Sequence, residues 1–218
     1  MTYPSWAAMH EGPTDEAYFD VIIPRLMEEL VAERGTRNVT IPLTPAVRLG
    51  KSGRAIAEVA EEACREQDAF FILFIHADTG GRALEADIDR RSTAYCDAVN
   101  ELCGFPQARC VVIAPRHETE AWMLADRDAV GSALGYRGNL GALGLPANAA
   151  GAERLVDPKQ ILEGAILQVR GRRSAVHVQQ IIPAIAQRQD FSILRQSRSF
   201  RAFAAALAGA LIDLGCIA

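Results

Sequence analysis

Two kinds of apolar pattern alternate through the first 135 residues. Short continuous apolar runs predict strands, and longer stretches with apolar positions every three or four residues predict amphipathic helices. Tyr3 to His10 reads as a short strand, followed by the turn Glu11-Gly12-Pro13 and a helix from Thr14 to Arg34, ended by Gly35. Phe19, Ile22, Ile23, Leu26 and Leu30 share one face of that helix, and Pro24 is expected to kink or split it. Asn38 to Leu43 predicts an edge strand, because Pro42 cannot donate to a ladder. Lys51 to Gln67 predicts a second helix. Ala69 to Ile75 is a continuous apolar run, the pattern of a parallel strand covered on both faces. Leu84 to Leu102 predicts a helix with Ile88, Tyr95, Val99 and Leu102 inward. Cys110 to Ala114 is another apolar strand, and His117 to Leu134 the helix after it.

Alternation of this kind implies parallel strands joined by right-handed crossovers, with helices on both faces of the sheet. The expected fold is α/β, a mainly parallel sheet of about four strands plus C-terminal helices. Residues 135–158, rich in Gly, Ala and Asn, read as a long loop, and helices come after it near Pro158–Val169, Val176–Gln187 and Ser199–Leu214. The expected division is an α/β domain over residues 1–135, with a loop and C-terminal helical extension over residues 136–218 packed on it. The most apolar stretch, Ala202 to Ile212, is too short to span a bilayer and reads as a buried helix or a dimer face.

Charge and cysteine content modify this outline. Residues 1–150 carry 14 Lys and Arg against 22 Asp and Glu, a balance of −8, whereas residues 151–218 carry nine against five, a balance of +4. An acidic half suits metal binding and a basic tail suits a polyanion, although the tail also reads as a solvated arginine face. Met1 to His10 lacks the basic start and apolar run of a signal peptide. The five cysteines form no CxxC and are odd in number, so the expectation is core thiols in a reducing cytoplasm, neither a disulfide framework nor a zinc site.

Parallel α/β sheets bind ligands beyond the carboxyl ends of their strands. His10, Glu11 and Asp15 come after the first predicted strand, and His76, Asp78 and the pair Gly80-Gly81 after the central one. His117, Glu118 and Glu120 come after the later strand. Three of the four histidines thus fall in these junctions, each with carboxylates beside it. Carboxylates crowded at one edge repel unless a cation neutralises them. Oxygen ligands from several loops suit Mg²⁺ or Mn²⁺, and the imidazoles tilt the choice toward Mn²⁺ or a mixed site. Asp15 and Glu118 also suit the first turn of a helix, where carboxylates satisfy free N–H groups.

The segment His10-Glu11-Gly12-Pro13-Thr14-Asp15, with an apolar strand ending in His76-Ala77-Asp78, resembles the Toprim fold of topoisomerases, primases and the overcoming-lysogenization-defect nucleases. The chain is also similar to a bacterial family of Toprim-like proteins of unknown function. The matching stretches are Pro115-Arg116-His117-Glu118-Thr119-Glu120-Ala121-Trp122, Pro158-Lys159 and Ser199-Phe200-Arg201. The resemblance implies that Glu11 is a metal ligand or general acid/base and that Asp78 is the second acid of an Asp-x-Asp pair. Histidine at position 76 departs from that pattern, and Glu118 and Glu120 are the replacement ligands.

The resulting expectation is a divalent-metal-dependent nuclease acting on DNA or RNA, in phage defence or nucleic-acid processing, with an ATPase as a candidate partner. Glu11, Asp15, Asp78, Glu118 and Glu120 are its metal ligands, and Glu11, His76, Glu120 and Lys159 its catalytic groups. Arg170, Arg172, Arg173, Arg198 and Arg201 would hold the nucleic-acid backbone. The alternatives are a catalytically inactive module that binds nucleic acid or the ATPase, and a metal-dependent phosphatase or nucleotide hydrolase. Asp87 and Asp89 read as exposed helical acids. Gly50-Lys51-Ser52 is no P-loop, since Pro45 stands where the first glycine belongs. Gly138 to Gly144 has the spacing GxxGxxG and reads as a loop, and Ser174 and His177 have no acid at a triad spacing.

Overall fold

The computed structural model describes residues 2–50, 54–79, 92–171 and 178–218. The expectations for Lys51, Ser52, Gly80, Gly81, Asp87, Ile88, Asp89, Arg172, Arg173, Ser174 and His177 lie outside the described residues.

Four strands form one all-parallel sheet: β1 (Trp6–His10), β2 (Val47–Gly50), β3 (Ile72–His76) and β4 (Cys110–Ile113), in the order β2-β1-β3-β4. Ala7 pairs with Val47 on one side, and on the other Trp6 pairs with Ile72. Leu73 pairs with Cys110. Every residue of β1 and β3 is buried, which is why these runs are apolar almost throughout instead of alternating.

The helices are α1 (Pro13–Arg34), α2 (Ile56–Arg65), α3 (Ala94–Cys103), α4 (Glu120–Ala125), α5 (Arg127–Leu134), α6 (Ala149–Ala152), α7 (Pro158–Arg170), α8 (Val178–Arg188), α9 (Phe191–Leu194) and α10 (Arg198–Asp213). Successive strand residues point to opposite faces, so the sheet divides the interior into two cores. Trp6, Ala8, Ile72, Phe74, Val111 and Ile113 face α1, α10 and the other C-terminal helices in the larger core. Ala7, Met9, Leu49, Leu73 and Ile75 face α2 and α3 in the smaller one. Trp122 of α4 stands among Phe19, Phe200 and Phe203, with ring centroids 5.0–6.0 Å apart.

Several expectations are corrected. Asn38 to Leu43 forms no strand: it makes only an isolated bridge from Val39 to Thr2. Pro42 and Pro45 have no N–H to offer a ladder. The Pro42 carbonyl instead accepts from the Trp6 indole at 3.2 Å, and regular pairing resumes at Val47. The helix containing Pro24 runs unbroken from Pro13 to Arg34. The helix expected over His117–Leu134 breaks at Asp126, whose carboxylate caps α5 through Ala129 N–H and also accepts from Asp190 N–H. Residues 135–158 hold a 3-10 turn at Leu140–Leu143 and the short α6. Leu102, expected inward, is 55% exposed.

The expectation of free core thiols fails for four of the five cysteines. Cys64 of α2 is bonded to Cys103 of α3, and Cys96 of α3 to Cys110 of β4, with Cα–Cα separations of 5.8 and 5.7 Å. Cys96 and Cys103 are seven residues apart, about two helical turns, and so share one face of α3. That face meets α2 and the start of β4, a juxtaposition invisible along the chain. Cys216, buried near the end of α1, is the odd one left free. No helix among the described residues is long and apolar enough to cross a membrane.

Candidate functional site at the carboxyl edge of the sheet

From β1 the chain crosses to β2 on one side, then returns past β1 to β3 on the other. The two crossovers leave in opposite directions at the carboxyl ends of β1 and β3, so the switch point between these strands is the crevice position at which doubly wound sheets bind ligands. Both of these strands end on a histidine. His10 and His76 fall on the same face as Trp6, Ala8, Ile72 and Phe74, so they continue the larger core up to its rim. Their ring centroids lie 6.0 Å apart, and Phe19 touches both, stacked on His10 at 5.4 Å and tilted against His76 at 4.9 Å.

Asp15 enters the crevice from the first turn of α1. One carboxylate oxygen accepts from Gly12 N–H at 3.0 Å, which satisfies a free donor at the helix start. The other accepts from the Thr119 hydroxyl at 2.7 Å. Thr119 Oγ1 also lies 3.1 Å from His76 Nε2 and 3.5 Å from Asp78 Oδ1, and His76 Nε2 lies 3.2 Å from the same Asp78 oxygen. His76 Nδ1 is 3.7 Å from Asp15 Oδ2. The Thr119 hydroxyl has one proton, and its nearest acceptor is Asp15. With that proton committed to Asp15, a proton on His76 Nε2 would be donated to Asp78, an assignment made from the partners. A second link crosses the same loops: Thr79 Oγ1 donates to the Pro115 carbonyl and accepts from His117 N–H. His117 itself adopts a left-handed φ of 69°, uncommon for a residue with a side chain.

The electrostatics match the crowding. Burial raises the Asp15 carboxyl above its usual range; His76 and the Thr119 hydrogen bond oppose the rise, and Asp78 and Glu11 add to it. Glu120, 6% exposed at the start of α4, is pushed up to about 7, first by burial and then by the charges of Glu118, Asp15 and Asp78. Burial holds the His10 imidazole down to about 3, helped by His76 and Arg48.

Of the residues singled out from the sequence, Asp15, His76 and Asp78 are brought together in one network through Thr119, with Glu120, Glu118 and Glu11 close enough for their charges to be felt. Glu11 is exposed. Glu118 accepts from Lys159 N–H at 3.4 Å, so it caps α7 and not its own helix. Lys159 is placed beside the site through its backbone, and the residue is exposed. Arg170 lies at the opposite end of α7, roughly 16 Å along the axis from Lys159. Arg198 and Arg201 stand at the start of α10, with Arg201 exposed. Thr119, at the centre of the hydrogen-bond network, was not among the residues expected. A hydroxyl between two glutamates carries no signal in the sequence; only its position beside the ends of β1 and β3 gives it a role. Among the described residues, no three His, Cys, Asp or Glu converge closely enough to hold a metal as they stand.

The short motifs are tied together physically. Trp122 donates to Ser199 Oγ at 2.7 Å, and Ser199 donates to the buried Glu153 carboxylate through its hydroxyl at 2.6 Å and its N–H at 2.9 Å. Burial opposes ionisation of Glu153, yet hydrogen bonds from Ser197, Ser199 and Arg198 hold its carboxyl below the usual range. Glu118 joins the first motif to Pro158-Lys159, and Trp122 joins it to Ser199-Phe200-Arg201. One sequence family, described as a domain of unknown function (DUF4276), matches residues 10–208. The chain belongs to the DUF4276 family. The match begins at His10 and ends within α10, so the DUF4276 region includes the crevice and all three motifs. No curated protein matches the chain, and no solved structure does.

Proposed function

We propose that the chain is a divalent-metal-dependent, nuclease-like hydrolase of nucleic-acid phosphodiesters, built on a Toprim-like plan and using Mg²⁺ or Mn²⁺. The observation that carries this reading is the gathering of Asp15, Asp78 and Glu120, one from beyond each of three strand ends, at the β1/β3 crevice, with the Asp15 and Glu120 carboxyls raised. Buried carboxylates that repel one another favour either protons or a cation. Asp15, Asp78 and Glu120, with Glu11 at the rim, are the oxygen donors that would hold a divalent ion, which would polarise a phosphate and lower the pKa of a bound water. The donor types suit such an ion, but no three of these groups converge as they stand among the described residues, so the carboxylates would have to move together and Thr119 would have to yield its hydrogen bond to Asp15.

The chain's own groups have distinct parts in this reading. Glu120, if left outside the ion's coordination, would accept a proton from the attacking water. His76, fully buried between Asp15 and Asp78, orients both carboxylates. Lys159 and the arginines of the C-terminal segment attract the phosphate backbone without reading sequence. A second reading, a non-catalytic module for nucleic acid or an ATPase partner, is favoured by one observation: His76 and Thr119 are wholly buried in a network in which the Thr119 hydroxyl and His76 Nε2 find partners within the protein.

Plasmid, single-stranded DNA and RNA incubated with the full chain in Mg²⁺, Mn²⁺ or EDTA separate the two. Cleavage is expected with metal and not with EDTA. Asp78→Asn and Glu120→Gln should each lower the rate by about 10²-fold or more. Binding without cleavage, or cleavage unchanged in both variants, would overturn the hydrolase reading.

A further inference from the structure

We infer that the cavity between α5 and the glycine-rich segment after it binds a nucleoside monophosphate. It is a second site: none of the residues gathered at the carboxyl edge of the sheet lines it.

Five glycines recur from Gly131 to Gly144. Gly135 ends α5 at a left-handed φ of 68°, a backbone conformation that favours glycine. A Cβ at Gly131 would run into the Leu140 side chain, and one at Gly138 into the Tyr136 ring. The segment therefore lies close against α5, and the Tyr136 ring rests on bare backbone. Hydrogen bonds hold this wall in place. Tyr136 N–H donates to the Gly131 carbonyl at 2.9 Å, and the Asn139 side chain accepts from Gly141 N–H at 2.9 Å. Gln168 of α7 donates to the Ala142 carbonyl at 3.3 Å. The space enclosed is about 530 Å³, within the range of small-molecule sites.

The lining sorts by chemistry. Asp128 and Ser132, four residues apart, share the face of α5 that borders the cavity, and Tyr136, Arg137 and Leu140 border it from the segment beyond. Asp128 stands in the first turn of α5 and Gly135 just past the last, about 10 Å further along the axis. A carboxylate thus stands toward one end and a guanidinium beyond the other. Among the described residues, the Asp128, Ser132 and Arg137 side chains are engaged in no hydrogen bond or ion pair. A ligand entering there displaces solvent and breaks no internal contact.

One ligand class matches this order of groups. Arginine takes a phosphate through paired N–H donors. The half-buried Tyr136 and Leu140 offer an aromatic and an aliphatic surface to a planar base. An ionised carboxylate only accepts hydrogen bonds, so Asp128 suits the exocyclic amino group of adenine, guanine or cytosine. A nucleoside monophosphate spans about this length from amino group to phosphate. The carboxyl end of α5 and Asp128 both disfavour further negative charge, so one arginine suits one phosphate and not three.

Isothermal titration of the full chain with nucleoside monophosphates, inorganic phosphate, ATP and a short single-stranded oligonucleotide tests this. AMP, GMP or CMP is expected to bind one to one, with a Kd at or below about 1 mM. UMP, ATP and phosphate alone should each bind about tenfold more weakly. Arg137→Ala and Tyr136→Leu should each weaken the best monophosphate about tenfold. Asp128→Ala should bring it down to the level of UMP. Arg137 and Asp128 are exposed, so their variants should keep the cooperative melting of the parent and remain informative if Tyr136→Leu does not fold. No monophosphate bound at millimolar concentration, phosphate bound as tightly as the nucleotides, or affinity unchanged in folded Arg137→Ala overturns the assignment. So does an oligonucleotide that binds more tightly than the monophosphates and loses that advantage in Arg137→Ala, because the occupant would then be a strand. Each of these results leaves the hydrolase reading of the sheet edge as it stands, since that reading is tested by metal-dependent cleavage.

Discussion

The two faces of the sheet are closed in different ways. On the α1 side, helices from both halves of the chain bury a continuous aromatic core, and polar groups far apart in sequence clamp it. The Tyr18 hydroxyl donates to Gln189 at 2.7 Å, the Gln189 amide donates to the Trp122 carbonyl at 2.7 Å, and Trp122 donates to Ser199. Arg25 adds its guanidinium 4.8 Å above the Phe191 ring. On the other face, among the described residues, α2 and α3 cover a much smaller core, and two disulfides pin α3 to α2 and to β4. The contrast shows how burial and covalent closure trade against each other. A core with many layers is stable through contacts, while a thin one gains from cross-links that reduce the freedom of the unfolded chain. The candidate site respects the same division: His10, His76 and Asp15 extend the thick face, where packing holds functional side chains in place.

Three measurements break or sharpen this comparison. Trp122→Ala removes the centre of the larger core and takes a partner from the buried Ser199 hydroxyl, so urea unfolding should show a loss of about 3–5 kcal/mol. A loss below about 1 kcal/mol would mean that the aromatic cluster is not what closes that face. Replacing Cys64 and Cys103 by serine, or Cys96 and Cys110, opens loops with separations of 39 and 14 residues. Each pair should cost about 3 kcal/mol, and reductant should lower the unfolding midpoint of the parent chain but not of the quadruple variant. An unchanged parent midpoint in reductant would show that the thin face stands without its cross-links. The smallest effect concerns Glu120. Its folded carboxyl titrates near 7 against 4.5 when unfolded, so the folded state holds the extra proton. The resulting stability is fully present below pH 4.5 and is lost as pH rises through about 7. In EDTA, Glu120→Gln should match the parent at low pH and exceed it by about 1–3 kcal/mol at pH 8. Parallel pH curves for the two would mean that Glu120 does not sense the other carboxylates.

Much of the order of elements was legible from the residues alone. β1, β3 and β4 are buried on both faces or nearly so, and such strands must be apolar at almost every position, which a linear reading detects. The strand after α1 leaves little local signal, because Asn38 to Leu43 has β-branched residues yet also Pro42. The actual partner, Val47–Gly50, is an edge strand of four residues, with half of them exposed and little pattern to see. The helical periodicity from His117 runs on past Asp126, but the Asp126 side chain caps α5 through Ala129 N–H and divides the stretch into two helices.

The sequence by itself determined which residues stand just beyond the ends of strands. Glu11, Asp15, Asp78, Glu118 and Glu120 are placed there, and His76 at the very end of β3, by the apolar runs that precede them, and those runs are local facts. Only the tertiary structure decided which of these meet. Strand order places β1 beside β3, so Asp15, His76 and Asp78 share one crevice, with Thr119 linking them and Glu118 diverted to the start of α7. Helix packing likewise brought four cysteines into two pairs. Both outcomes depend on distances between elements far apart along the chain. Those distances come from sheet order and from which face each crossover helix covers, and no local pattern of residues encodes either.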